Sequence, residues 1–323
     1  MNLILKPTIS HKKLMTILTV ASILIGVGCC IVGEILLPFL VGVLAALYLF
    51  DKDERKYSFI TSCTLLVLNL AGVALGFVIS FFGLAAIILA RMLNSAYKKN
   101  NNKADTAYVM TVIFGAFTVL GAVFFAMVYM NSYTMDAAVT FYSDLVSQVR
   151  KIFVETTMDI YAQTGMQIGE DIVVSAFDQQ VNMIISYVLI GAFAMTGISM
   201  KLFSAIVSRC VDDNSSIRSW RFIANGACAY LYVILALGAI FVLPTDVLGI
   251  SVLNLYNFFM CVFAYVGFNY ALALFRRRMK KVASFILLVV ILLVASSIAI
   301  QILAFLGVFF TIRKSRENKP YEG

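Results

Sequence analysis

The chain has 323 residues, 62% of them hydrophobic and only 13% charged, with 25 basic residues against 17 acidic ones. A mean hydropathy of +0.94 excludes a soluble globular fold, because one core of this length cannot hide so much apolar surface. Redox, haem and zinc chemistry are equally poorly provided for: the single histidine, His11, lies in the N-terminal tail, and Cys29, Cys30, Cys63, Cys210, Cys228 and Cys261 show no CxxC spacing. An all-α, polytopic integral membrane protein of about nine crossings (eight to ten) is expected, with no enzyme activity and no cofactor.

The first apolar run, Leu14 to about Gly33, follows Lys6, Lys12 and Lys13. It is about twenty residues long and lacks a small-x-small cleavage site, so it reads as a retained helix rather than a signal peptide. A shorter run, Leu36 to Phe50, opens at Pro38, a residue tolerated in the first turn of a helix. Tyr57 to Leu93 is too long for one crossing and has basic flanks at both ends, so it must go out and return, with a turn around Gly76 to Gly83. Further crossings are expected at Tyr108–Met130, Val181–Val207, Trp220–Leu243 and Leu248–Phe275. The last stretch, Val282 to Ile312, fits either one long tilted helix or a tight hairpin near Ser296-Ser297.

Charge sets the orientation. The N-terminus, the 51–56 loop and the regions 91–103, 201–221 and 276–281 hold nineteen of the 25 basic residues, and the outer segments hold only Arg150 and Lys151. Short basic loops stay in the cytoplasm, so a cytoplasmic N-terminus in the plasma membrane is expected. The remaining four, Arg313, Lys314, Arg316 and Lys319, lie in the C-terminal tail. No nucleic-acid partner is implied; the lipid bilayer is the first partner.

Between the fifth and sixth crossings, residues 131–180 carry seven acids and two bases. Apolar residues at Met135, Ala138, Val139, Tyr142, Leu145, Val146, Val149, Ile152 and Phe153 step by three and four, as do Ile168, Ile172, Val173, Ala176 and Phe177. An outer amphipathic helical hairpin is expected, turning between Gly165 and Gly169. With no Pro or Gly from Ala122 to Thr164, the fifth helix could run straight into it. Such a hairpin either closes on itself or offers a docking surface.

Membrane pumps usually bury a charged coupling group near the bilayer centre, but Glu34, Arg91, Lys201 and Asp246 all fall near helix ends. Neutral polar residues remain. Asn254, Asn257, Cys261 and Tyr265, followed by Phe268, share one helical face, either an interhelical hydrogen-bonding stripe or a ligand site. Asn69 is a candidate pocket residue. The glycines Gly26, Gly28, Gly33, Gly72 and Gly76 sit in apolar helices with no strand before them, so they read as helix-packing positions and not as a nucleotide loop.

The order of elements resembles the YybS-like family of bacterial multi-pass membrane proteins. The residues carrying the resemblance are Pro38 opening a short second helix, the short pair bearing Gly72, Gly76 and Gly83, and the outer amphipathic segment. Towards the C-terminus they are Val266-Gly267-Phe268, the basic Arg276-Arg277-Arg278, and Gly307 followed by Arg313-Lys314. That family in turn is similar to the substrate-binding membrane subunits of energy-coupling-factor transporters. The resemblance implies a six-helix unit over residues 1–208, including the outer hairpin at 131–180, with additional membrane helices and a basic tail over 209–323. It also implies an outward-facing small-molecule site and, since the chain has no Gly-Lys-Ser/Thr phosphate loop, a separate ATPase and coupling membrane subunit as partners. Against this stands a non-transport scaffold or regulatory partner, acting through the outer hairpin or the cytoplasmic basic loops. The first reading expects a polar-lined cavity with Asn69 or groups such as Tyr129; the second expects tightly packed helices.

Overall fold

A computed structural model describes residues 10–51, 55–74, 81–99, 103–211, 224–242, 246–277 and 279–317. Among them every regular element is helical, and the chain divides into two compact units. Six helices are long and apolar enough to cross a membrane, within His11–Val32, Lys56–Val73, Asp105–Tyr129, Ile184–Cys210, Val247–Phe275 and Ile298–Ser315. The protein is therefore an all-helical, multi-pass membrane protein. Leu37–Phe50 and Gly226–Phe241 are shorter apolar helices. The predicted turn around Gly76 and the predicted start at Trp220 lie outside the described residues.

The first unit, residues 1–177 with 191–221, is built around a helix that is hidden from every side. Helix α1 (His11–Val32) ends at Gly33 and leads through a 3-10 turn (Glu34–Leu36) into α2 (Leu37–Phe50). Pro38 sits in the first turn of α2, where its missing N–H costs nothing. Every residue of α2 except Phe39 is buried. A helix apolar on all faces must be enclosed by other helices or by lipid, and here the enclosure is protein. Helix α1 packs on it, as do α3 (Lys56–Ala74) and α4 (Phe82–Lys98). So does α8 (Ile184–Cys210), whose Ser199 hydroxyl donates to the Pro38 carbonyl at 3.0 Å. A Cβ at Gly42 would lie 3.0 Å from the Ser199 carbonyl oxygen, so glycine lets α8 approach this closely. Helix α1 is one-sided by contrast: Leu14, Met15, Leu18, Ser22, Gly26 and Cys29 are buried, while Ile17, Leu24 and Ile31 face outward.

Helix α5 (Lys103–Tyr129) does not run on into the segment 131–180 as the absence of Pro and Gly suggested. The chain breaks at Asn131, in the left-handed region at φ 49°, and restarts at α6 (Met135–Thr164) behind Thr134, whose hydroxyl accepts the Ala137 N–H at 3.3 Å. Asparagine tolerates that conformation and Thr is a favoured helix cap. Helix α6 then folds back along α5. Phe141 packs on Phe125 and Tyr129, and the Tyr142 hydroxyl donates to the Ala122 carbonyl at 2.8 Å. Gly165, at φ 71°, ends α6, and α7 (Glu170–Asn182) returns with Phe177 5.4 Å from Phe153.

The second unit comprises residues 178–190 and 222–323, with α9 (Gly226–Phe241), α10 (Val247–Phe275) and α11 (Lys281–Glu317). Side chains of a helix lean toward its N-terminus. A Cβ at Gly267 would run into the Leu303 carbonyl, and one at Gly307 into the Phe263 carbonyl. Each glycine thus meets the turn preceding the other, which requires α10 and the end of α11 to be parallel. Tyr270 stacked on Phe310 at 4.5 Å keeps the same register.

That register decides the last apolar stretch. No extended loop separates Lys281 from Glu317, since every residue between them has helical conformation. Yet Phe285 contacts Phe268 at 6.1 Å while Gly307 meets neighbouring Gly267. Residues 285 and 307 would be about 33 Å apart on a straight helix, too far to meet one turn of α10. Helix α11 therefore bends back between Phe285 and Leu303. Of the two expected forms the contacts select the hairpin, two helical arms meeting at a sharp turn with no extended loop between them. Its start and its end lie at the same end of α10. The side chains of Ser296 and Ser297 are outside the described residues.

Candidate functional site

The polar stripe of α10 divides into two parts. Asn254 is 2% exposed, and its amide is fully engaged at the junction between α7 and α8. Its oxygen accepts the Ser186 N–H at 2.7 Å, and its nitrogen donates to the Asn182 carbonyl at 2.7 Å and to the Ile250 carbonyl at 2.8 Å. The last carbonyls of one helix and the first N–H groups of the next have no partner within their own helices. One asparagine from a third helix serves both. Asn257 adds a donor to the Met183 sulfur at 3.2 Å, and the Ser186 hydroxyl donates to the Met183 carbonyl. Cys261 and Tyr265 stand farther along α10, away from this junction in sequence, and the Tyr265 carbonyl accepts from Asn269 at 2.8 Å. Beside them Tyr232 of α9 stacks on Tyr256 at 5.6 Å and tilts against Phe263 at 5.4 Å.

Asn69 belongs to the first unit. It is 6% exposed, and its side-chain oxygen accepts the Gly83 N–H at 3.1 Å, supplying the opening turn of α4 with a cap from α3. Gly83 has room for nothing larger, since a Cβ there would lie 2.9 Å from the Leu65 carbonyl and 3.1 Å from the Asn69 side chain.

Polar groups also gather where α2 ends. Tyr48 and Ser62 share a 2.7 Å hydrogen bond, and the Asp51 carboxylate accepts the Ser58 N–H at 2.6 Å. The Arg91 guanidinium lies 5.7 Å from the centre of the Tyr48 ring. His11 bonds the Phe50 carbonyl at 3.0 Å. These contacts tie α1, α3 and α4 to the C-terminal end of α2.

The end of α5 and the helix α6 are different, because many of their apolar side chains stay exposed. Phe125, Tyr129, Phe141 and Tyr142 form one aromatic group with ring centroids 5.0–6.1 Å apart, and Tyr129 is 69% exposed. Burial pushes the Tyr142 phenol above its usual range. In α6 only Ala138 and Val154 are buried, and Val139, Leu145, Val149, Ile152 and Ile160 form an apolar face that stays 42–65% exposed. Sequence reasoning found the face by its period but not the aromatic group. Its signal was present in Phe125 and Tyr129, one helical turn apart, and the adjacent pair Phe141-Tyr142.

A family model described as predicted membrane protein (DUF2232) matches residues 14–309. No curated protein and no solved structure matches the chain.

Proposed function

Taking as premise that the chain belongs to the DUF2232 family of predicted membrane proteins, we propose that it is a non-catalytic membrane subunit that works by holding a protein partner on the outer hairpin of α6 and α7. One observation carries this reading. The apolar side chains of α6 outside the candidate spans remain open, with Val139 65% and Ile152 63% exposed, while the buried amides Asn69 and Asn254 are spent on joining helices. Hydrophobic surface of this kind, rimmed by charge, marks interaction sites. The test is a photoreactive residue at Ile152 in intact cells. A discrete protein adduct is expected, and adducts with lipid alone would overturn the reading.

A second reading is favoured by the open aromatic group at Tyr129. There the protein is a small-molecule-binding, transporter-like subunit, in line with its resemblance to the YybS-like family and to energy-coupling-factor substrate-binding subunits, and it works with a separate ATPase and coupling subunit. Mass spectrometry of the purified protein distinguishes the two, since this reading requires a co-purifying small molecule that the variant Tyr129→Ala loses.

Both readings share one topology in the plasma membrane. Nine segments enter the bilayer, α1 to α5 and α8 to α11, with the short α2, α4 and α9 among the crossings. The N-terminus is cytoplasmic, supported by the distribution of basic residues. Cysteines placed at Asn101 or Lys280 should resist labelling from outside intact cells, and efficient labelling would refute the orientation.

A further inference from the structure

The fold of α11 brings together two basic segments that are far apart in sequence. Gly267 faces Gly307, and Tyr270 stacks on Phe310, so equivalent positions on α10 and α11 differ by forty residues. Continued to the helix ends, this register sets Arg276 level with Arg316, and the turn of α10 before Arg276 level with Arg313 and Lys314. The start of α9 joins them, since a Cβ at Gly226 would meet the Ser315 side chain. From Val247 to Glu317 the sequence contains eight basic residues and a single acid, Glu317, so this end carries a large excess of positive charge.

We infer that Arg276, Arg277 and Lys280 after α10, with Arg313 and Lys314 of α11, form one binding surface for the phosphate headgroups of anionic phospholipids. The apolar residues next to these cations identify the partner as lipid. Leu274, Val282 and Phe309 are 42%, 70% and 56% exposed, within about two turns of Arg276, Lys280 and Arg313. Apolar exposure directly below a ring of cations is the pattern of a helix end at headgroup depth, where Lys and Arg stems run along hydrocarbon and their heads reach the phosphates. An acidic protein partner would instead have to displace lipid from these side chains.

The inference rests on the membrane reading above, but not on which face is cytoplasmic or on what α6 binds. It is tested on the full-length protein, purified in detergent and offered phosphatidylglycerol, cardiolipin or phosphatidylcholine, with bound lipid counted by native mass spectrometry. The anionic lipids should be retained in preference, and the variant R313Q/K314Q/R316Q should retain roughly tenfold less of them. R313K/R316K, which keeps the charge, should behave as the parent, as should the outer-face variant R150Q/K151Q. Equal retention by the tail variant, equal loss in R150Q/K151Q, or displacement of the lipid by millimolar inorganic phosphate would each overturn the inference. Independently of lipid, cysteines at Tyr270 and Phe310 should form a disulfide in a background without the native cysteines. Failure to do so would remove the register on which the surface depends.

Discussion

Helices α2 and α6 are both rich in apolar residues and have opposite fates. Helix α2 is apolar on every face, and all but one of its fourteen residues are buried. Helix α6 is thirty residues long, carries its apolar residues on one face, and buries two residues in all. The comparison teaches that a helix without a polar face has to be enclosed, by protein as α2 is or by lipid, while a helix with one can stay open. A helix with no side to offer water is surrounded by α1, α3, α4 and α8, whereas one with Asp144, Lys151 and Glu155 on its other side stays at the surface. Stability should therefore concentrate around α2, and interaction around α6.

The largest expected effect is at the centre. Leu44→Ala, at a position with no exposed surface, should cost about 2–5 kcal/mol through the cavity it leaves, read as a fall in the melting temperature in detergent. A loss no larger than that of a surface variant would break the comparison. Next comes the α7–α8 junction: Asn254→Leu strands the Ser186 N–H and the Asn182 carbonyl, at about 1–3 kcal/mol, with faster hydrogen exchange at Ser186. Asn69→Ala should cost less, about 0.5–2 kcal/mol, as the loss of one helix cap. Where α6 meets α5, Tyr142→Phe removes the bond to the Ala122 carbonyl for about 0.5–1.5 kcal/mol. The same phenol has a sign that can be checked. Its folded-state pKa is raised by burial, so the neutral form is favoured in the native state. Its contribution is complete below the ordinary tyrosine value near 10 and is lost as pH rises above it. The parent should lose more stability than Tyr142→Phe in that window. The smallest effect belongs to the open face, where Ile152→Ser should change stability by less than about 0.5 kcal/mol while abolishing the photo-adduct of a neighbouring probe.

The membrane-helical class was legible from composition, and helix limits were legible where a local residue dictates them: Pro38 opens α2, and Gly165, which adopts a left-handed φ, closes α6. The break between α5 and α6 was missed because Asn131 and Thr134 act through backbone conformation and a capping bond, weaker signals than Pro or Gly. The path of α11 was beyond periodicity altogether. It depends on where Gly267 and Gly307 let two backbones meet, a pairwise fact that neither run of residues contains. The stripe from Asn254 to Tyr265 was legible as a face, but not its division. Only the end next to the α7–α8 junction finds backbone groups in need of a partner, and nothing in the spacing says where a different helix will break.

The enclosure of α2 also bears on how the chain enters the membrane. Fourteen residues make about 21 Å of helix, less than the roughly 30 Å of a hydrocarbon core, so α2 is a poor lipid-stable intermediate by itself. Its place exists only once the helices that follow it have been synthesised. Chains truncated soon after Phe50 would therefore lack the walls that hold this segment, and reporters fused there would describe a transient arrangement rather than the finished one.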